Sequence, residues 1–382
     1  MKGFGCQDKI RVGEREFQIH TGCDTDKNKA LTEVFEKGNF IFEIAKPYKI
    51  RRGLGDSIDE TYLKKIILDM HQQTIDEVLI LFKIKEKIAT LNHHLPHYRL
   101  GKIFLVKNFL LEAVANLQTA IHIKPDDTES YRLLGLAYIQ LNDFPHALQA
   151  LHQAITIRPD QVEVLNSLGV IYTQLGDYES ARSYLQQAIQ IKPHFHECNF
   201  NLGIFLYLST IAENPREERV VLPARVFRSL KEIREQNAYA DDEWQHQFER
   251  VDEKIKRGNK NEIIDTLKDL QIKMAGRIDF SAVTDQFFLK FMYGGKEMTR
   301  DEIDRYERQI LAESDKVKNV PEYWNDLAVL HLIQCRDNFV KAISEFENST
   351  RLNEKFTEAA NSLELMKRGK KGFLILLRAI LK

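Results

Sequence analysis

The sequence predicts a mainly α protein, an α-solenoid of stacked helix pairs with a small antiparallel β module in front of it. A leucine followed by glycine recurs every 34 residues, at Leu100-Gly101, Leu134-Gly135, Leu168-Gly169 and Leu202-Gly203. Small residues follow at constant offsets, and Pro125, Pro159 and Pro193 close successive units. The first 45 or so residues lack this pattern and carry short β-branched and aromatic runs split by glycine turns.

Residues 1–50 therefore read as the β module. The runs IRV, EFQIHT, KALTEVFE and NFIFEI are separated by Gly13-Glu14, a polar bend and Lys37-Gly38, as in an antiparallel meander. Residues 56–93 follow the glycines of RRGLGD. Ser57 and Glu60 stand at capping-box spacing, and Ile66, Ile67, Met70, Ile75, Val78, Leu79 and Phe82 recur at helical intervals. One long connecting helix, or a pair divided near Gln73, is expected.

Residues 94–210 hold three repeats and part of a fourth. An aromatic stands three residues after the glycine at Phe104, Tyr138 and Tyr172, with Leu206 in the fourth copy. Then come Ala113, Ala147 and Ala181, next Leu117, Leu151 and Leu185, and finally Ala120, Ala154 and Ala188. The stretch AITIRPD from Ala154 alternates like a strand, but its copies at Ala120 and Ala188 mark it as a helix end. The pattern resembles the tetratricopeptide repeat family. Glycine and alanine allow two helices of a pair to cross closely, leucine and tyrosine fill the gaps, and proline ends the second helix. Each pair leaves an apolar face uncovered, so neighbours stack into a curved array with a concave groove. The fourth copy begins at His196 and loses the pattern after Tyr207.

Beyond it, residues 211–320 read as a helical insert or as degenerate repeats, through segments such as LPARVFRSLKEIRE, DEWQHQFERVDEKIKRG and NEIIDTLKDLQIKM. Residues 321–368 suggest a degenerate repeat and a capping helix. Trp324, Leu327 and Ala328 suit a first helix and Ala342, Phe346 and Ser349 a second, with a longer turn between them than in the true repeats. Residues 369–382 form a basic, apolar tail.

Composition narrows the function. Lys and Arg number 55 against 56 Asp and Glu, so net charge points to neither nucleic acid nor an anionic membrane as main partner. The four cysteines are scattered without a CxxC, and no stretch has the apolar length of a signal peptide or a span, so a cytoplasmic protein is expected. No P-loop, dinucleotide, nucleophile-elbow or zincin motif is present, and no parallel-strand pattern of a sugar-transferring domain follows the repeats. A non-enzymatic chain without cofactor is expected. Asp24-Thr25-Asp26-Lys27-Asn28 starts like a calcium loop, but Lys29 and Phe35 stand where glycine and glutamate belong, so it reads as a turn. His93, His94 and His97, and His194, His196 and Cys198, lie beside helix boundaries where spacing alone does not make ligands converge, so no metal is assigned.

The resemblance implies that the first helix of each pair lines the groove. Carried over by position, this names Tyr98 and Lys102, then Glu129, Arg132, Leu136, Ile139 and Gln140, then Glu163, Asn166, Val170 and Gln174, then Glu197, Phe200, Asn201 and Ile204. Leu136, Val170 and Ile204 share one register and form an apolar stripe suited to a peptide or helix of a partner protein. The alternative is that residues 211–300 cover the stripe. The chaperone-tail clamp of some relatives is excluded, because Leu136, Ser167, Glu197 and Asn201 replace most of its groups and only Arg132 suits it. The tail, with Lys370, Lys371, Phe373, Leu376 and Leu377, suits either a peripheral membrane contact or docking on protein. The expectation is an adaptor or scaffold that binds its partner in the groove, with the β module as a second contact. Its rival is a membrane-peripheral assembly factor anchored by the tail. Oligomeric state is not legible.

Overall fold

The computed structural model describes residues 5–24, 28–48, 60–213, 221–236, 239–240, 242–257, 259–278, 282–295, 298–312, 321–352, 361–367, 369 and 372. The chain divides into two compact units, residues 1–282 and 283–382. The tail residues Lys370, Lys371, Phe373, Leu376 and Leu377, and the Ser57 capping position, lie outside the described residues.

The first unit opens with β1 (Cys6–Val12), β2 (Arg15–Asp24), β3 (Lys29–Glu36) and β4 (Asn39–Pro47), an antiparallel meander in sequence order. Lys37 and Gly38 both take positive φ, 50° and 81°, which suits the tight β3–β4 turn to the twist of its strands. One face of the sheet, with Phe17, Ile19, Ala30 and Val34 fully buried, packs against α1 (Glu60–Ile88). This helix runs unbroken past Gln73, so the pair allowed by the sequence is a single helix. A polar chain, buried at His71, Thr21 and Thr32 and reaching the surface at Asp8, ties the two together. His71 Nδ1 lies 2.8 Å from Thr21 Oγ1, which lies 2.9 Å from Thr32 Oγ1, while His71 Nε2 lies 2.9 Å from Asp8 Oδ2.

Four helix pairs follow. They are α2 (His94–Val106) with α3 (Leu110–Ile123), α4 (Thr128–Gln140) with α5 (Phe144–Ile157), α6 (Val162–Leu175) with α7 (Tyr178–Ile191), and α8 (His196–Glu213) with α9 (Ala224–Arg234). The glycine period has a direct steric cause. A Cβ added at Gly101, Gly135 or Gly169 would stand 2.5 to 2.7 Å from the side chain of Leu117, Leu151 or Leu185, so only glycine admits the helix crossing. At Gly203 the same place is taken by Val226 at 2.7 Å. Helix α9 is thus the second helix of the fourth repeat, which the sequence pattern loses after Tyr207. Asp127, Asp143 and Asp177 cap α4, α5 and α7, each accepting from the backbone N–H three residues on.

The β module closes one end of this stack. Phe109, which precedes α3, meets Phe17 of β2, Phe42 of β4 and Phe82 of α1 with ring centroids 5.5 to 5.8 Å apart. Arg15 lies over Phe17 and Phe82 at 5.0 and 5.1 Å, holds Glu36 through two bonds of 2.6 and 2.7 Å, and also pairs with Glu112 of α3. Asn108 Nδ2 donates to Ile41 O of β4 at 2.7 Å, joining the α2–α3 turn to the sheet edge.

After α9 come α10 (Asp242–Arg257) and α11 (Lys260–Ala275). The latter is capped by Asn259, which accepts from Glu262 N–H at 3.0 Å and donates to the Glu262 carboxylate at 3.0 Å. Phe248 and Val251 of α10 share one core with Val226, Leu230 and Ile233 of α9 and with Leu267, Leu270 and Met274 of α11.

The second unit holds α12 (Val283–Tyr293), α13 (Arg300–Ala312) and α14 (Pro321–Leu352) around Phe287, Phe288, Ile303, Tyr306, Ile310, Leu330 and Ile333. Here the expected helix pair is corrected. Helix α14 is continuous over 32 residues, because no glycine or proline interrupts it between Trp324 and Ala342, and Trp324 is exposed. Residues 361–367 are also helical.

Two outcomes test this packing. Gly169→Ala places a methyl 2.5 Å from Leu185 Cγ, and Leu185 is fully buried. The variant is expected to lose about 1–3 kcal/mol in a denaturant titration. Burial by itself pushes the Asp127 carboxyl up, but His94 Nε2 at 3.1 Å and the backbone and hydroxyl donors of Ser130 hold it at about 2, below its ordinary 3.8. A depressed folded value stabilises the fold above the unfolded pKa, and that stabilisation is lost as pH falls through the folded one. Stability measured from pH 5 downward is therefore expected to drop between about 4 and about 2 in the parent, and to lack this component in Asp127→Asn.

Candidate functional site: the concave face of the repeats

The first helix of every pair faces the inside of the curve, and three of them carry a second layer. Helix α11 packs on α4, α6 and α8. Phe200 and Ile204 of α8 share a core with Leu267, Leu270 and Met274 of α11. Leu136, Ile139 and Val170 are buried, with exposures of 6, 1 and 0%. Arg132, Leu136, Asn166 and Glu197 leave only a cleft of about 50 Å³ against Met274 and Arg277. The apolar stripe is thus covered by residues of the same chain, from within the 211–300 stretch that the sequence offered as the alternative to an open groove.

Polar side chains of the groove bond to this helix. Gln140 and Gln174 stand 34 residues apart, at one position of successive repeats. Gln140 Nε2 donates to Gly276 O at 2.7 Å, and Gln174 Nε2 donates to Lys268 O at 3.2 Å and to Gln271 Oε1 at 3.3 Å. Gln271 Nε2 donates to Asn201 Oδ1 at 3.3 Å, and Asn201 Nδ2 to Asn166 Oδ1 at 2.9 Å. Asn201 and Gln271 are wholly buried, so this chain of amides satisfies groups that would otherwise be costly to bury. Gly276 lies against α4, where a Cβ would stand at ordinary contact distances of 3.4 Å from Gln140 Cγ and 3.6 Å from Ile139 Cγ2.

The end of α11 is fastened by charge. Arg277 pairs with Glu197 at 3.5 Å and lies 4.8 Å over the Tyr239 ring, and the Tyr239 hydroxyl donates to the same carboxylate. Burial, with Glu197 beside it, pushes the Tyr239 hydroxyl far above the ordinary phenol range, so it stays a donor. Arg132 is held by Glu129 of its own helix at 2.6 Å. On α2, outside the α11 contact, Tyr98 stacks on His94 with centroids 5.7 Å apart, and Lys102 is half-buried.

Of the sequence-derived groove residues, Leu136, Ile139, Asn166, Val170, Gln174, Phe200, Asn201 and Ile204 thus lie under or beside α11, while Tyr98, Lys102, Glu129 and Arg132 lie towards the first two repeats. Sequence reading did not find Leu267, Leu270, Gln271, Met274, Tyr239 and Arg277 as their partners. The available signal was a glutamine within an apolar helical stripe, at Leu267, Leu270, Gln271 and Met274. The histidines lead elsewhere. His97 Nε2 lies 3.0 Å from Leu91 O, His196 Nδ1 lies 2.7 Å from Glu232, and buried Cys198, its thiol pushed up to about 12 by burial first and Glu197 second, is 3.5 Å from Leu185 O. Among the described residues no three metal-ligating side chains converge.

Models of the tetratricopeptide repeat match residues 98–161 and 134–198. Residues 98–198 are tetratricopeptide repeats. Over 115 residues the chain is 32% identical to BBSome complex member BBS4 of Bos taurus, a match covering 30% of this chain and 19% of that protein. The chain therefore spans about a fifth of the curated relative it matches. Among solved structures it is similar to MamA, with 20% identity, a TM-score of 0.36 and coverage of 48% of this chain and 96% of that one. YrrB, described as a TPR protein with an unusual peptide-binding site, gives 16% identity and a TM-score of 0.32, covering 50% of this chain and 95% of that one. The P58(IPK) TPR domain gives 14% and 0.30, covering 75% and 76%. Tetratricopeptide repeats typically serve as scaffolds that bind protein partners. Among the described residues no helix is long and apolar enough to cross a membrane.

The seating of α11 is open to direct measurement. Gln174→Ala removes the donor to Lys268 O and to Gln271. Hydrogen exchange followed by mass spectrometry is expected to show amides of α11 exchanging about tenfold faster, as loss of one such bond implies, with those of α5 unchanged.

Proposed function

We propose that this chain is a non-enzymatic adaptor whose repeat groove holds a helical segment of a partner protein, and that α11 fills the groove until the partner replaces it. The observation that carries the reading is the manner of seating. A helix lies across α4, α6 and α8, with Gln140 and Gln174, one repeat apart, donating to its carbonyl oxygens. Repeat-spaced donors of this kind bind main chain, while the stripe of Leu136, Val170 and Ile204 supplies the apolar contact. The cis helix competes at the high effective concentration of a tethered ligand. Partner binding is therefore controlled by how firmly α11 is fastened. The near-equal count of acidic and basic residues fits a protein partner rather than nucleic acid.

The test uses the full chain. Arg277→Ala frees the end of α11 from Glu197 and Tyr239 and leaves the donors Gln140 and Gln174 in place. Affinity capture with this variant is expected to recover proteins that the parent recovers weakly, and adding Gln140→Ala and Gln174→Ala is expected to remove them again. Equal recovery by all three chains would place partner binding on another surface. Substitutions of Leu136 or Val170 are unsuitable, because both are buried beneath the second layer and their loss would disturb the fold itself.

A further inference from the structure

Within the groove reading, on which this step rests, the chemistry of the occupant can be specified. The floor of the groove under α11 is not uniformly apolar. Asn166 and Asn201 come from adjacent repeats, and both are buried, at 6 and 0% exposure. Asn201 spends its amide N–H on Asn166, which leaves its Oδ1 as an acceptor aimed at the occupant. Gln174 brings a donor from the neighbouring helix α6. A side chain that serves both must carry a donor and an acceptor on one planar group, and must do so without charge in a site closed to water. Gln271 does this, with Nε2 on Asn201 and Oε1 on Gln174, each at 3.3 Å. Leucine or methionine at that place would leave Asn201 Oδ1 without its donor and Gln174 Nε2 with Lys268 O alone, and a carboxylate would put its charge against the Asn201 oxygen. Sites built on such hydrogen bonds reject analogues that lack them far more strongly than apolar pockets reject a changed methylene.

We infer that the groove selects amphipathic helices carrying a central glutamine amide in the pattern Leu-x-x-Leu-Gln-x-x-Met, the face that α11 presents through Leu267, Leu270, Gln271 and Met274. The apolar three seat in the core shared with Phe200 and Ile204, and the amide sets the register of the helix along the groove. A one-residue slide along the helix axis would turn the glutamine away from Asn201 and bring an apolar neighbour, Leu270 or Ile272, towards it. The partner class is therefore a helix with an uncharged carboxamide inside its apolar stripe, rather than an acidic peptide or an all-aliphatic helix.

The experiment uses a fluorescein-labelled peptide of residues 258–278 and the same peptide with Gln271→Ala, titrated by anisotropy against the full chain carrying Gln271→Ala. In that chain the cis helix has lost its amide, so the unaltered peptide holds the advantage. It is expected to bind at least tenfold more tightly than the altered one, and adding Asn201→Ala and Gln174→Ala to the chain is expected to erase the difference. Equal binding of the two peptides overturns the glutamine requirement and leaves the groove reading standing. Binding of neither peptide overturns both. Should circular dichroism show the Gln271→Ala chain unfolded, the same pair of peptides titrated against the Arg277→Ala chain gives the same outcomes.

Discussion

The whole array depends on a contact that side chains would forbid. In each repeat the first helix passes its partner so closely that any Cβ at Gly101, Gly135, Gly169 or Gly203 would stand less than 3 Å from a buried aliphatic side chain. That crossing fixes the angle within a pair, and the 34-residue spacing repeats it, so equivalent positions of successive first helices line up along the inside of the curve. Gln140 and Gln174 are such equivalents, which is why two donors point at one helix. The face that α11 covers is thus a by-product of steric regularity in the core behind it.

The repeats were legible because their signal is local and periodic, from Leu100-Gly101 onward. The meander was legible from Gly13 and Lys37-Gly38, where positive φ requires such residues. Register also named the groove positions. It did not name their occupant, because a helical stripe such as Leu267, Leu270 and Met274 says that a face is buried and nothing of what buries it. The bonds that answer this join residues 70 to 136 positions apart. Helix α9 escaped for a different reason. Val226 stands 23 residues after Gly203, where the earlier leucines stand 16 after their glycines, so an insertion broke the count and valine replaced the marker. In α14 the fault was opposite, since apolar residues at repeat-like spacing suggested two helices where nothing breaks one.

Two buried polar networks have different structural meanings. The chain Asp8, His71, Thr21 and Thr32 fastens the sheet to α1, beside the aromatic contact of Phe17, Phe82 and Phe109 over which Arg15 lies. The chain Asn166, Asn201, Gln271 and Gln174 lies between α11 and the first helices of the third and fourth repeats, beside a core that holds Leu267 and Leu270. Amides buried in this way add less stability than aliphatic side chains of the same size would, and they penalise every misaligned arrangement. The groove contact accordingly gains alignment at some expense of strength.

The fastening of Arg15 bears on more than the sheet. By joining Glu36 to Glu112 across stacked rings, it places a β layer where a preceding helix pair would otherwise stack on α2 and α3. At the other end of the array Phe248 and Val251 of α10 cover the apolar side of α9. Among the described residues, neither end of the four-pair stack presents a bare helix-pair face, since each is covered by a layer of different architecture.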